Sequence, residues 1–361
     1  MRIVQISPTF FRGQSNLGGG ERYPLELARY LSRTHDAYLL SFGKQRAHEQ
    51  IQGVPLEIYP AHLLNNNILN PFSLRFLKST LNSDVVHVHQ ISTMVADLSC
   101  LSRLLRRKPI FLTDHGGGGD VILNKRLPWL HDRATAILQS EFTRSFVSAN
   151  LRNRAVVIKG GVDIERFFPD PLVVKDGSIL YIGRILPHKG VNYLIEAFRK
   201  LNRDGLKLRI VGHIYHQRFA DDLKSQSANL NIEFIHGATD EEIIAYYRRA
   251  ELTVLPSVHT DLYGGYTATP ELMGFTLTES QACGTPVICT DAGAMAEFVQ
   301  PTRTGLVVKQ SCPDSLAEAM RSLLSLSTSS RQSMARNCRS WAESLSWDCV
   351  SKRHLELYQR V

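Results

Sequence analysis

Cysteines, aromatic residues and long apolar runs are all scarce in this sequence, and each scarcity excludes something. The six cysteines, Cys100, Cys283, Cys289, Cys312, Cys338 and Cys349, form no Cys-x-x-Cys pair and no finger-like spacing with histidine. Neither a disulfide framework nor a structural zinc site is expected. No apolar stretch approaches the ~20 residues of a membrane-spanning helix. The opening MRIVQISP passes from a strand-like run into a polar loop, without the apolar core and cleavage site of a signal peptide. A cytoplasmic protein is therefore expected. Aromatic residues are 8% of the chain and are not interleaved with basic ones, so nucleic acid is not an expected partner.

What is present points to two α/β units. The 361 residues suit roughly two domains at ~150 residues each. Short β-branched runs at Arg2–Ile6, Ala37–Ser41, Val85–Val88, Pro109–Thr113 and Ala134–Leu138 alternate with amphipathic stretches at Glu21–Ser32, Met94–Arg106 and Glu141–Ala149. The alternation recurs from Ser178 to Leu324, with a joint at Phe167–Gly177, where prolines and a glycine interrupt regular structure. Such alternation predicts parallel sheets covered by helices, which bind ligands beyond the carboxyl ends of their strands. The net charge of +8 is unevenly placed: the chain up to Phe168 has 21 basic and 13 acidic residues, against 21 of each after it. An anionic partner for the first unit follows, or simple solubility.

Four segments follow strands and carry candidate chemistry. Gly18-Gly19-Gly20-Glu21 precedes the first helix, where glycines allow close backbone approach and a helix N-terminus favours an anion. The spacing is not G-x-G-x-x-G, which lowers a nicotinamide reading. His115 stands before four glycines in LTDHGGGGD, where it could donate to a sugar or phosphate oxygen. In YIGRILPHKG, Arg184 and Lys189 flank a proline turn and could converge on a diphosphate, the arginine as a fork and the lysine as a point charge. In PELMGFTLTESQACGTPV, Glu271 and Glu279 put two carboxylates near the start of a helix, suited to vicinal hydroxyls.

Taken together, GGGE, GRILPHKG and ELMGFTLTESQACGTPVI resemble the family 4 retaining glycosyltransferases of the GT-B fold, with their Glu-x7-Glu block. Lesser matches are DVVHVH at 84–89, Gly160-Gly161-Val162-Asp163 followed by Phe167, and the Ile210-Val211-Gly212 and Phe234–Gly237 segments. The resemblance covers nearly the whole chain in order. It implies two Rossmann-like, doubly wound domains facing a cleft. Residues 1–168 plus 347–361 would form the acceptor-side domain and 169–346 the donor-binding domain. It implies that Arg184 and Lys189 hold the donor diphosphate, with Gly183 ahead of them. Glu279 would bind the nucleotide ribose and Glu271 the donor sugar. The backbone of Phe275, Thr276 and Leu277 would form the sugar- and phosphate-binding turn. Gly19 and Gly20 would close over the phosphates, and His115 would sit near the sugar.

The implied reaction is hexosyl transfer, with retention, from a nucleotide diphosphate sugar (a UDP-sugar or GDP-mannose) to a glycan or lipid-linked acceptor. The nucleotide sugar is a co-substrate; no cofactor and no metal are expected, and the chain has no Asp-x-Asp triplet. The alternatives are a GT-B sugar-nucleotide epimerase and a non-catalytic nucleotide-sugar-binding protein. The segment Val258–Pro270 is longer than in many members and bears on donor or acceptor choice. Arg103, Arg106, Arg107 and Lys108, with leucine-rich residues 63–77, leave two readings open. One is a face for an anionic membrane, peripheral on its inner side; the other is solvated charge over ordinary core leucines.

Overall fold

The computed structural model describes residues 1–8, 19–116 and 122–360. Gly18 and the stretch Gly117–Asp120, both part of the glycine-rich segments above, lie outside them. The chain divides into two compact units: Met1–Gly161 with Trp347–Val361, and Val162–Ser346. The boundary falls at Gly161/Val162, ahead of the proline-interrupted joint. Val162 bridges Ser346, and Phe167 is buried with Val162, Tyr247 and Ala282 in a core cluster of the second unit.

The first unit is built on an eight-stranded sheet in the order Val156–Val157, Thr135–Leu138, Ile110–Thr113, Val85–His89, Arg2–Ile6, Asp36–Gly43, Val54–Pro60, Ala47–Ile51. All pairs are parallel except the last, an antiparallel hairpin. Its central strands are buried on both faces, which is why they read as continuous apolar runs. The strand order reverses beside Arg2–Ile6, so a switch point lies between the ends of Arg2–Ile6 and Val85–His89. The last helix, Trp347–Arg360, packs on the helix Gly19–Leu31. Gly161 makes room for it: its φ is +119°, and a Cβ there would come within 2.6 Å of the Trp347 ring.

The second unit has a six-stranded, fully parallel sheet: Ile232–Ile235, Lys207–Val211, Ser178–Ile182, Ala250–Leu255, Val287–Thr290, Gly305–Val308. Its switch point lies between Ser178–Ile182 and Ala250–Leu255. The fold is the expected pair of doubly wound α/β domains.

Several local expectations need correction. The segment Glu141–Ala149 is not one helix. A 3-10 turn, Phe142–Phe146, gives way to extended Val147, and Ser148 then caps a short helix Ala149–Arg152. Arg103 is not part of a surface charge cluster. It is buried and donates to the carbonyls of Pro109 (3.2 Å), Thr80 (2.7 Å) and Ser83 (2.8 Å), tying its helix to the loops around it. Among the apolar residues expected nearby, Phe76 belongs to the core, while Ile68 and Leu74 are exposed. No described helix is long and apolar enough to cross a membrane.

Candidate functional site

In the second unit the candidate residues gather at the switch point. Strand Ser178–Ile182 ends at Gly183, where space forbids a side chain: a Cβ would lie 2.9 Å from the Tyr181 hydroxyl. That buried hydroxyl donates to the Arg184 carbonyl (2.8 Å), and the Arg184 side chain is exposed. The chain then makes the 3-10 turn Pro187–Lys189 and leaves it at Gly190, whose φ is +68°. A Cβ on Gly190 would fall 2.0 Å from the Pro256 carbonyl, so glycine here allows the two sides of the switch point to meet.

This turn carries Lys189 inward. Only 6% of it is exposed, and its ammonium donates to Glu271 Oε1 (2.5 Å) and to the Pro270 carbonyl (3.0 Å). The Ser257 hydroxyl donates to the same Glu271 oxygen (3.2 Å). A cation, a carboxylate and a hydroxyl from three segments therefore share one point. Half-buried His188 lies in the field of Lys189, Glu271, Arg184 and Asp261. Burial first, then the lysine and arginine charges, push its pKa down to about 4, so its imidazole is neutral at pH 7.

The helix Phe275–Ala282 begins beside this cluster with Gly274 as N-cap and no side-chain cap. A helix start of this kind favours an oxygen or anion through its dipole. Thr276 Oγ1 donates to the Ile182 carbonyl (3.3 Å), fastening the helix start to the strand end before Gly183. Leu277 is fully buried beneath Gly274, so it faces the site only through its backbone. Glu279 is also buried and accepts from the Tyr247 hydroxyl at Oε2 (3.0 Å). Burial and the Glu279 carboxylate hold the Tyr247 pKa well above its usual value, so it stays a donor.

The structure thus joins Lys189 directly to Glu271, and ties Thr276 to the strand that delivers Gly183 and Arg184. Ser257, His188, Tyr181 and Tyr247 had no assigned role from sequence. His188 sits inside the GRILPHKG motif, and Ser257 follows a strand end in Pro-Ser; position after a strand was the signal available for both.

In the first unit, His115 lies beyond strand Ile110–Thr113, and Gly20 is close beneath it, since a Cβ there would be 3.5 Å from the His115 Cβ. Gly19 and Gly20 are the first residues of the helix Gly19–Leu31. Both ring nitrogens of His115 are engaged within the unit: Nδ1 with Gln139 Nε2 (2.7 Å), Nε2 with His89 Nδ1 (3.0 Å). Beyond His89 the network runs through Gln5 (2.6 Å), Tyr358 (3.3 Å), His87 (2.8 Å) and Thr113 (2.8 Å) to the Ile137 carbonyl (2.9 Å). One set of protons satisfies it. The Gln139 amide donates to His115 Nδ1, His115 Nε2–H to His89 Nδ1, and His89 Nε2–H to the Gln5 carbonyl. The Gln5 amide donates to Tyr358, whose hydroxyl donates to His87 Nδ1, and His87 Nε2–H donates to Thr113. All three imidazoles are neutral in this pattern. Burial agrees, lowering the pKa of His87 and His89 well below the usual value and that of His115 to about 3. A hydrogen bond from His115 to a substrate oxygen therefore requires one internal bond to be released. Asp114 beside it is pushed up to about 6 by burial.

Comparison with known proteins gives consistent findings. A family model described as Glycosyltransferase Family 4 matches residues 17–166, and one described as Glycosyl transferases group 1 matches residues 163–341. An uncharacterized glycosyltransferase of Methanocaldococcus jannaschii is 25% identical over 280 residues, 74% of this chain and 73% of that one. A D-inositol 3-phosphate glycosyltransferase of Geodermatophilus obscurus is 28% identical over 54% of this chain, which spans only 45% of that relative. Among solved structures, a Rickettsia africae glycosyltransferase aligns with TM-score 0.76 and 21% identity over 99% of this chain and 98% of its own. Anabaena HepE in complex with UDP aligns with TM-score 0.76 and 18% identity over the full length of both chains. HepE has also been solved with UDP-glucose.

Proposed function

We propose that this chain, a glycosyltransferase of the GT-B type, is a retaining, metal-independent hexosyltransferase. It takes the hexose from a nucleotide diphosphate sugar, a UDP-sugar or GDP-mannose, and passes it to a hydroxyl of a glycan or lipid-linked acceptor. The observation that carries this reading is the buried Lys189–Glu271 pair at the switch point of the second unit, with exposed Arg184 and the start of the helix Phe275–Ala282 beside it.

The main chemical demand is charge that grows on the departing β-phosphate. Arg184 is exposed and offers a bidentate fork to phosphate oxygens. Lys189 is fixed by Glu271 and Pro270, so its charge needs no reorganisation. The helix N-terminus adds its dipole. In the step itself the bond between the anomeric carbon and the β-phosphate oxygen breaks. The acceptor oxygen bonds to the same face of that carbon, and its proton passes to a phosphate oxygen. Glu271, held by Lys189 and Ser257, orients hexose hydroxyls and forms no covalent bond. Glu279, held by the Tyr247 hydroxyl, takes the ribose hydroxyls.

The acceptor side draws support from exposed apolar residues set among basic ones. Leu74 and Leu105 are 58% and 76% exposed, near Arg75, Lys78, Arg106 and Arg107 in sequence. Such a face suits an anionic membrane that carries a lipid-linked acceptor.

The test is a thermal-shift series with UDP, GDP and ADP and their glucose, N-acetylglucosamine and mannose conjugates, with UDP-glucose first because HepE holds it. Selective stabilisation by one nucleotide sugar, lost in Lys189→Ala and Arg184→Ala, is the expected result. No response to any of them would end the donor-site assignment.

A further inference from the structure

The segment Val258–Pro270 is fastened at both ends to the turn that bears Lys189. Val258 N donates to the His188 carbonyl (2.8 Å), and the Pro270 carbonyl receives the Lys189 ammonium (3.0 Å). In between, the loop is a tight hairpin. Thr260 bridges Tyr266, and Asp261 N donates to the Gly265 carbonyl (2.9 Å). The Asp261 carboxylate accepts from Tyr263 N (2.8 Å) and Gly265 N (3.0 Å). The Tyr263 hydroxyl is anchored on Asp222 of the helix Gln217–Gln226, with Arg218 over its ring at 4.8 Å.

One aromatic side chain stands clear of this frame. Tyr266 is 72% exposed, with its ring stacked on His259 (5.9 Å, 20°). His259 is itself fixed: Nδ1–H donates to the Thr267 carbonyl (2.9 Å), and Nε2 accepts from Gly293 N (3.3 Å). Gly293 in turn lies against Glu271. Ala294 N donates to the Glu271 carbonyl (3.0 Å), and a Cβ on Gly293 would be 2.4 Å from that oxygen. Tyr266 is therefore linked to the Glu271 backbone through two intermediate residues, His259 and Gly293.

Ordering a loop costs about 1–2 kcal/mol per residue in backbone entropy, so a ring displayed on an already ordered frame binds with little further loss. A tyrosine offers an apolar face and a polar tip. A pyranose offers the complement, a face of C–H bonds ringed by hydroxyls. We propose that Tyr266, backed by His259, is a saccharide platform that stacks on the C–H face of a pyranose beside Glu271 and so contributes to sugar choice. This rests on the donor-site reading above. The pyranose is either the donor hexose or a unit of the acceptor; the stacking chemistry is the same.

Calorimetry on the full chain separates the cases, with wild type, Tyr266→Ala and Tyr266→Phe titrated with UDP, UDP-glucose and, with and without UDP, methyl α-D-glucopyranoside. Tyr266→Phe should match wild type throughout, and Tyr266→Ala should keep the wild-type melting temperature and UDP affinity. Tyr266→Ala should lose about five- to tenfold in affinity for a sugar ligand: for UDP-glucose if the donor hexose stacks there, for the glucoside if an acceptor does. Equal affinities of Tyr266→Ala and wild type for both ligands would overturn the proposal. So would a wild type that binds UDP-glucose no better than UDP and does not bind the glucoside. Failure of the donor-site reading looks different: wild type would then bind no UDP, while the glucoside titration without nucleotide still reports on Tyr266.

Discussion

Breaking the Lys189–Glu271 pair from each side, and then from both, separates its structural from its chemical role. The two charges are 2.5 Å apart, with side chains 8% and 16% exposed. At an effective dielectric of about 20 their attraction is about 7 kcal/mol, and desolvation of both ions offsets most of it. Removing one partner is different, because it leaves a buried charge alone at a cost of about 3–5 kcal/mol. Water reaches Glu271 in part, so we take the lower end. Glu271→Gln strands the ammonium on the Pro270 carbonyl, and Lys189→Met strands the carboxylate on the Ser257 hydroxyl; each should cost about 3 kcal/mol. The double variant has no stranded charge and should be no worse than either single one, a coupling of at least about 3 kcal/mol. Native-state hydrogen exchange on peptides from Ser178–Ile182 and Ala250–Leu255 reads this in the second unit alone. UDP titration of the same proteins reads the chemistry: Lys189→Met should weaken binding strongly and Glu271→Gln little, since the role proposed for Glu271 is at the sugar end. A coupling below about 0.5 kcal/mol would refute the claim that these charges stabilise one another.

Gly161→Ala should destabilise the first unit by about 2–4 kcal/mol, through a strained positive φ and overlap with Trp347, seen as lost exchange protection in Trp347–Arg360. Arg103→Met should cost at least about 3 kcal/mol by leaving buried carbonyls without a donor, yet leave co-sedimentation with anionic vesicles unchanged, whereas Arg106→Glu with Arg107→Glu should reduce it at low salt. Acid should weaken the first unit more than the second, where the histidine held down is His188, to about 4. His87, His89, His115 and His354 are all held below 6.5 by burial, so their contribution is complete above that pH and falls as pH drops towards the folded values, about 3 for His115 and 4 for His354. Asp114, raised to about 6, works oppositely, its contribution fading as pH rises from 3.8 through 6. Four groups against one give a slope of up to about 4 kcal/mol per pH unit below pH 6, and equal exchange protection at pH 7.5 and 5.5 would contradict it.

Most strands of both sheets were legible because their runs are apolar on both faces, as parallel strands between helices must be. The elements that escaped are those whose burial is partial. The edge strand Ala47–Ile51 is polar and mostly exposed, and the turn that pairs it, Gln52-Gly53 with both φ positive, is a weak signal without alternation around it. The helix Thr328–Ser344 buries only Met334, Cys338 and Ala342, one residue per turn in a serine- and arginine-rich stretch. The stretch read as a helix over Glu141–Ala149 holds Phe142 and Phe146 four apart, and extended Val147 interrupts it. For the candidate site, motif and position after a strand marked Arg184, Lys189, Glu271 and Glu279. They did not reveal that Lys189 and Glu271, 82 residues apart, form an ion pair, because no spacing rule reaches across three strands and three helices. The alternation His87-Val88-His89 does place two histidines on one face of a strand. That Tyr358, 271 residues later, completes their network is a property of the docked last helix.

The two switch points are electrically unlike, although the sheets around them follow the same rule. In the second unit the strand ends deliver formal charges, Arg184, Lys189 and Glu271, and a helix start without a side-chain cap. In the first they deliver imidazoles that burial keeps neutral and that spend their hydrogen bonds on one another. On the proposed reading a diphosphate sits in the second unit, where Arg184 and Lys189 follow a strand end. The excess positive charge of the first unit does not alter this. Buried Arg103 is consumed by backbone carbonyls, and Arg106 and Arg107 lie at the exposed end of a helix. Net charge per domain and the charge found at the strand ends therefore point to different units here.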